Sequence, residues 1–199
     1  VLFRSHTGAR VITARIPLPL DGPEVVVERV LAALSPRTRL VLVSHVTSPT
    51  GLVFPLETLL EALGSRGVPC LVDGAHAPGM LPLDLGALAR RGLDYYTANL
   101  HKWMCAPKGA AFLWARRERQ DGLGPPSISH GHGGGWPGRS SFHARFDWTG
   151  TWDPTPWLVI PETLDAFSAL DPGGAPAVRE KNRALALRAR SRLSDALDA

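Results

Sequence analysis

Apolar residues recur along this chain with two periods, and the two alternate. Residues 9–16 are rich in β-branched side chains (Val11, Ile12, Thr13 and Ile16) and predict a strand. Asp21, Pro23 and Glu24 follow in the order of a helix start: a carboxylate at the N-cap, proline in the first turn, and an acid three residues on. Val26, Val27, Val30, Leu31 and Leu34 then keep helical spacing. The short apolar run 40–43, bounded by polar residues, predicts a buried strand. Pro55 opens a helix with Leu56, Leu59, Leu60 and Leu63 on one face, stopped by Gly64 and Gly67. Residues 70–72 form the next buried strand, ending at Asp73. A short helix over 85–91 and strands over 93–98 and 110–115 complete the pattern. This alternation predicts an α/β fold, a mostly parallel sheet flanked by helices.

Residues 122–156 lose the period and become rich in Gly, Pro, Ser, His and Trp, which predicts a long ordered loop of the kind that carries function. Helical signals return over 161–170, break at 171–174, and resume over 177–197 as an Arg-rich amphipathic helix with Leu185, Leu187, Leu193 and Leu197. Residues 1–5 read as a non-native scar, since Leu2 to Ser5 (LFRS) match a translated sequencing-adapter end, and they are set aside from the fold.

Composition narrows the classes. With 44% hydrophobic and 20% charged residues, the 199-residue chain has enough apolar surface for a core and too much for long disorder. No apolar run reaches the ~18 residues of a membrane span. Two cysteines, Cys70 and Cys105, cannot make a disulfide framework, so a cytoplasmic setting is expected. The net charge of +4 arises from an arginine-rich chain, with Arg116, Arg117 and Arg119 as its densest basic run. Nucleic-acid binding needs a broader basic face with aromatics for stacking, so no nucleic-acid partner is expected. The scarcity of lysine (Lys102, Lys108 and Lys181) makes a lysine in an apolar setting conspicuous.

In open α/β sheets ligands bind at the carboxyl ends of the strands. Three predicted strand ends here carry polar groups: 44–51 (SHVTSPTG), 73–76 (DGAH) and 99–103 (NLHKW). Each has an ordinary explanation. Asp73 suits an Asx turn, His76 a satisfied internal histidine, and Lys102 beside Trp103 a snorkelling surface lysine. Together they suit a different task. A lysine amine near a carboxylate can condense with an aldehyde cofactor, and pyridoxal phosphate also needs an acid for its ring nitrogen and donors for its phosphate.

These motifs, 43–51 (VSHVTSPTG), 72–79 (VDGAHAPG) and 99–103 (NLHKW), resemble those of class V aminotransferase-fold enzymes, in the isopenicillin N epimerase-like branch. Residues 107–113 (PKGAAFL) and 150–155 (GTWDPT), followed by Pro161, extend the likeness, which runs in order over 6–178. The resemblance implies part of the large domain of a fold-type-I, pyridoxal-phosphate-dependent enzyme. Lys102 would form the internal aldimine and shuttle the substrate α-proton, while Asp73 would pair with the pyridine nitrogen. His76 would meet the phenolic oxygen, and Asn99 and His101 would hold the phosphate. Gly150 and Thr151 would reach the phosphate of a neighbouring subunit, implying a homodimer. Ser48 stands near the cofactor where many relatives carry Asn.

The same resemblance implies chemistry at the α-carbon of an amino acid or its derivative, with epimerisation ahead of transamination or elimination. It further implies that 6–178 belong to the cofactor-binding domain and that 179–199 link to a small C-terminal domain. The family's ring-stacking residue and its arginine for the substrate carboxylate would lie outside this stretch, so the chain alone is expected to be weak or inactive. Three other readings compete. A cysteine desulfurase or C–S lyase needs a reactive thiol on a mobile loop, whereas Cys70 is expected in the core and Cys105 packed near the cofactor. A metal site at His130, His132 and His143 lacks a cysteine or acid at matching spacing. The last is a fragment contributing only sheet and dimer surface.

Overall fold

The computed structural model describes residues 8–133 and 136–197, so residues 1–5 lie outside it. Four strands form one sheet: β1 (Val41–Ser44), β2 (Cys70–Asp73), β3 (Tyr95–Asn99) and β4 (Ala111–Ala115), in the order β1-β2-β3-β4. The first three run parallel, and β4 turns back antiparallel to β3. Helix α1 (Pro23–Ala32) precedes the sheet, while α2 (Leu56–Gly64) and α3 (Leu85–Arg90) make the crossovers that parallel pairing requires. After β4 come the short α4 (Ser141–Phe146) and α5 (Thr155–Leu158). An α6 (Ile160–Ala169) and α7 (Gly174–Leu197) pair close the described chain.

The core lies between the sheet and the crossover helices. Val41, Val43, Cys70, Val72, Tyr96 and Ala98, alternate residues of their strands, pack against Leu59, Leu60, Leu63, Leu88, Val27 and Val30. Leu59 and Leu60 are wholly buried, and burial of such a side chain is worth about 1.5–3 kcal/mol. On the opposite face Leu42 is 65% exposed and Leu113 39% exposed. The helices that pack on the sheet in this core, α1, α2 and α3, therefore lie on one of its faces.

Asp94 is the buried charge that fastens this layer. Its carboxylate accepts from the Cys70 backbone N–H at 3.1 Å and from Arg119 Nε at 2.9 Å. Arg116 donates to the carbonyls of Leu93 and Ala89. Two arginines of the densest basic run thus work inside the fold.

Three local expectations differ. Residues 9–16 form no strand. Val11 is 72% exposed and Ile12 56%, and branched side chains that are not buried give β propensity little to act through. The N-cap of α1 is Gly22, not Asp21, and no side chain caps that end. The stretch 122–156 contains α4, capped by Ser140, whose Oγ accepts from the His143 N–H. Gly131 lies so close to α4 that a Cβ there would stand 1.5 Å from the Ala144 carbonyl oxygen. The other expected helices and strands begin and end within about three residues of expectation, α7 starting three residues early at Gly174, while α5 had no counterpart in the sequence pattern.

Candidate active site

Parallel register brings the carboxyl ends of three strands to one edge. Ser44 pairs with Asp73, and Asp73 with Thr97, two residues before Asn99. Asp73 is exposed, and its Oδ1 accepts from the Ala75 N–H at 2.9 Å, so the Asx turn is present. That turn uses one carboxylate oxygen and aims the residue out of the sheet edge.

Beneath this turn lies a histidine–tyrosine pair. The His45 N–H donates to the Asp73 carbonyl at 2.8 Å, and His45 Nδ1 lies 2.8 Å from the Tyr96 hydroxyl. Burial pulls the His45 imidazole down to about 4, leaving it neutral at pH 7. Burial first, and then the Asp73 charge, pushes the Tyr96 hydroxyl well above its usual range. The Tyr96 ring sits where only glycine fits, since a Cβ on Gly74 would stand 2.1 Å from Tyr96 Cζ.

Two loops then interlock above the edge. Lys102, half-buried, places Nζ 3.0 Å from His76 Nε2. Trp103 Nε1 donates to His76 Nδ1 at 3.2 Å. Burial, and then the Lys102 charge, lowers the His76 pKa, and Asp73 opposes that shift. Gly79, at φ +83°, lets the loops close, because a Cβ there would stand 2.6 Å from the Trp103 carbonyl. The lysine loop is pinned by Ala106 N–H donating to the Leu100 carbonyl and Leu100 N–H to the Ala110 carbonyl. His101, between them, has a buried Nδ1 that meets no hydrogen-bond partner.

Asp73, His76, Asn99, His101 and Lys102 therefore lie on this edge or in the loops that rise from it. Ser48 is exposed in the turn after β1, a turn held by Thr47 Oγ1 and Thr50 Oγ1 at 2.6 Å. Gly150 and Thr151 lie before α5, and among the described residues no hydrogen bond joins either to Lys102 or Asp73. Cys70 is core as expected, its thiol pushed up to about 12 by burial and then by Asp94. Cys105 is exposed at φ 60°, against the expectation of packing, because the pinned turn directs it outward. Among the described residues no three His, Cys, Asp or Glu side chains come together to hold a metal.

Sequence reasoning left His45, Tyr96 and Trp103 without roles. The first two carried a usable signal. His45 continues the inward alternation of Val41 and Val43, and Tyr96 that of Ala98.

Residues 5–195 match the aminotransferase class-V family. The chain belongs to that family. Class V aminotransferases are pyridoxal-phosphate-dependent enzymes. The chain is similar to the isopenicillin N epimerase of Amycolatopsis lactamdurans, 43% identical over 95% of this chain and 48% of that protein. It is also similar to an L-cysteine desulfhydrase of Arabidopsis thaliana, 30% identical over 98% of this chain and 42% of that protein. A crystal structure of an Escherichia coli cysteine desulfurase shares the fold, with a TM-score of 0.54 and 22% identity over 66% of this chain and 31% of that one. This class V chain thus spans about half the length of the curated relatives it matches.

Proposed function

We propose that this chain is the cofactor-binding part of a pyridoxal-phosphate enzyme acting at the α-carbon of an amino acid or amino-acid derivative, with epimerisation as its reaction. One observation carries the reading. Lys102 Nζ stands 3.0 Å from His76 Nε2 on the strand edge that also bears Asp73. The donor set fits the cofactor. Lys102 offers an amine for the aldehyde, Asp73 keeps one carboxylate oxygen outside its turn for the pyridine nitrogen, and His101 Nδ1 is a buried polar atom lacking a partner. When bound, the cofactor supplies an electron sink that stabilises negative charge on the substrate α-carbon.

The residues have separate tasks. Lys102 would hold the cofactor through its amine and would take the α-proton from one face of the substrate; epimerisation then needs a proton delivered to the opposite face. Asp73 would pair with the pyridine nitrogen and hold the proton there. His76 would bind the phenolic oxygen, Asn99 and His101 would bind the phosphate, and Ser48 would contribute near the ring. Gly150 and Thr151 would reach the phosphate site of a second subunit. The working form is then a homodimer with a small-molecule substrate, in the cytoplasm.

Epimerisation is favoured by the 43% identity to an isopenicillin N epimerase. A second reading, C–S bond cleavage, is favoured by the likeness to an L-cysteine desulfhydrase over 98% of the chain. Both begin with removal of the same proton. The test uses the full-length protein, which should show a visible cofactor band that borohydride bleaches and that Lys102→Ala lacks. Asp73→Ala should retain some cofactor and lose most activity, because the ring proton is no longer held. Chiral chromatography of amino-acid substrates against sulfide release from cysteine separates the two reactions. A colourless full-length protein would end the cofactor reading.

A further inference from the structure

We propose that Tyr96 is a positioning residue for Asp73: with His45 it forms a strut beneath the end of β2 that fixes the direction of the Asp73 carboxylate. The inference rests on the cofactor reading above, and the strut consists wholly of this chain's own residues.

The alternation along β2 places the strut. Cys70 and Val72 turn into the core, and Gly74 is the next residue on that face. Having no side chain, Gly74 leaves its place empty, and the wholly buried Tyr96 of β3 fills it. A Cβ on Gly74 would stand 2.1 Å from Tyr96 Cζ and 2.2 Å from the hydroxyl oxygen. The ring thus passes under the middle strand toward β1, where its hydroxyl meets His45 Nδ1 at 2.8 Å. That bond joins β1 to β3, two strands that do not pair with each other. A hydroxyl both donates and accepts, so the bond forms with either neutral tautomer of His45. Phe112 lies nearly parallel to the Tyr96 ring, with centroids 6.2 Å apart, and backs it from the side of β4.

The backbone above the strut is tied at the same place. His45 N–H donates to the Asp73 carbonyl at 2.8 Å, and Gly74 N–H to the Thr97 carbonyl at 2.7 Å. Asp73 Oδ1 accepts from Ala75 N–H, so the turn that aims the carboxylate is built over Gly74. Burial, and then the Asp73 charge, pushes the Tyr96 hydroxyl up, which keeps it a neutral phenol. Removing that hydroxyl opens a gap under Gly74, leaves His45 Nδ1 without its bond, and gives the turn room to tilt. A carboxylate that keeps a ring nitrogen protonated must meet it in line and within hydrogen-bond reach. A tilting turn meets that condition only part of the time.

The experiment uses the full-length protein. Without cofactor, the Ala75 N–H held by Asp73 should exchange its hydrogen about tenfold faster in Tyr96→Phe than in wild type, the size of one lost hydrogen bond. His45→Leu should match that rate, and the double variant should be no faster than either. His45→Asn, whose amide offers both an N–H and a carbonyl to the phenol, should restore the wild-type rate. Leu59→Ala, a core cavity on α2, should lose stability and leave the Ala75 rate unchanged. With nitrogen-15-labelled pyridoxal phosphate bound, Tyr96→Phe should move the ring-nitrogen resonance toward its unprotonated position. The same variant should lower kcat about tenfold with KM within about twofold. An unchanged Ala75 rate in Tyr96→Phe overturns the proposal, and so does equal acceleration in Leu59→Ala, which would mark general destabilisation. A ring nitrogen as fully protonated in Tyr96→Phe as in wild type overturns it too. A protein that takes up no cofactor ends the functional reading, while Ala75 exchange still decides whether the strut holds Asp73.

Discussion

Acidification probes the histidine beneath the Asp73 turn. Burial pulls His45 from its ordinary 6.5 down to about 4 in the folded protein. Between those values the unfolded chain binds a proton that the folded chain refuses, so stability rises with pH across the window. The contribution is complete above about pH 6.5, drains as the pH falls, and levels off below about pH 4. At pH 5 the unfolded state is favoured about thirtyfold by His45 protonation, which is about 2 kcal/mol lost relative to pH 7. The assay is urea unfolding of the full-length protein at pH 7 and pH 5, for wild type and for His45→Asn. Wild type should lose about 2 kcal/mol more than the variant between the two conditions. His76 titrates in the same direction but is present in both proteins, so it cancels in the difference. The Asp153 and Asp171 carboxyls are lowered, by hydrogen bonds from Thr155 and from Lys181 respectively, and they too are present in both proteins. Equal pH slopes in the two proteins would refute the claim that His45 is held neutral by the fold.

Other substitutions test other parts. Leu59→Ala empties a wholly buried position between α2 and the sheet and should cost about 2–5 kcal/mol by urea midpoint, whereas Leu42→Ala on the open face should cost well under 1 kcal/mol. Asp94→Ala removes the acceptor shared by the Cys70 N–H and Arg119; with Arg119 itself exposed enough to rehydrate, the expected loss is about 2–3 kcal/mol in the same assay. Gly79→Ala forces a Cβ against the Trp103 carbonyl at a left-handed φ, so it should displace the lysine loop and lower cofactor content at native helix content by circular dichroism. Full cofactor retention in that variant would show that the two loops do not need to interlock.

Much of the fold was legible because burial imposes a period. Strand 40–43 appears one residue displaced as Val41–Ser44, and the helix face Leu56, Leu59, Leu60 and Leu63 is buried as spaced. Residues 9–16 show the limit of that logic. Their composition suits a strand, but a strand exists only where a neighbour supplies the ladder, and no local pattern reports that neighbour. The short α4 was invisible for a related reason: its six residues are too few for a period, and its stability comes from the Ser140 cap and the close approach of Gly131.

The site divides along the same line. Asp73, Asn99 and Lys102 could be placed because strand ends of a parallel sheet share an edge, whatever the loops do. The His76 bonds to Lys102 and Trp103 could not, since they arise only when two loops close on each other. That closure depends on missing side chains. Gly74 admits the Tyr96 ring beneath the Asp73 turn, and Gly79 admits the Trp103 backbone beside it, both at distances a Cβ forbids. The segment from Asp73 to Gly79 is therefore gripped through backbone and ring contacts at its two glycines, in addition to the bonds that Asp73 Oδ1 makes to Ala75 and that His76 makes to Lys102 and Trp103. Because the backbone packing carries part of the hold, the second oxygen of Asp73 is left outside its turn at the sheet edge.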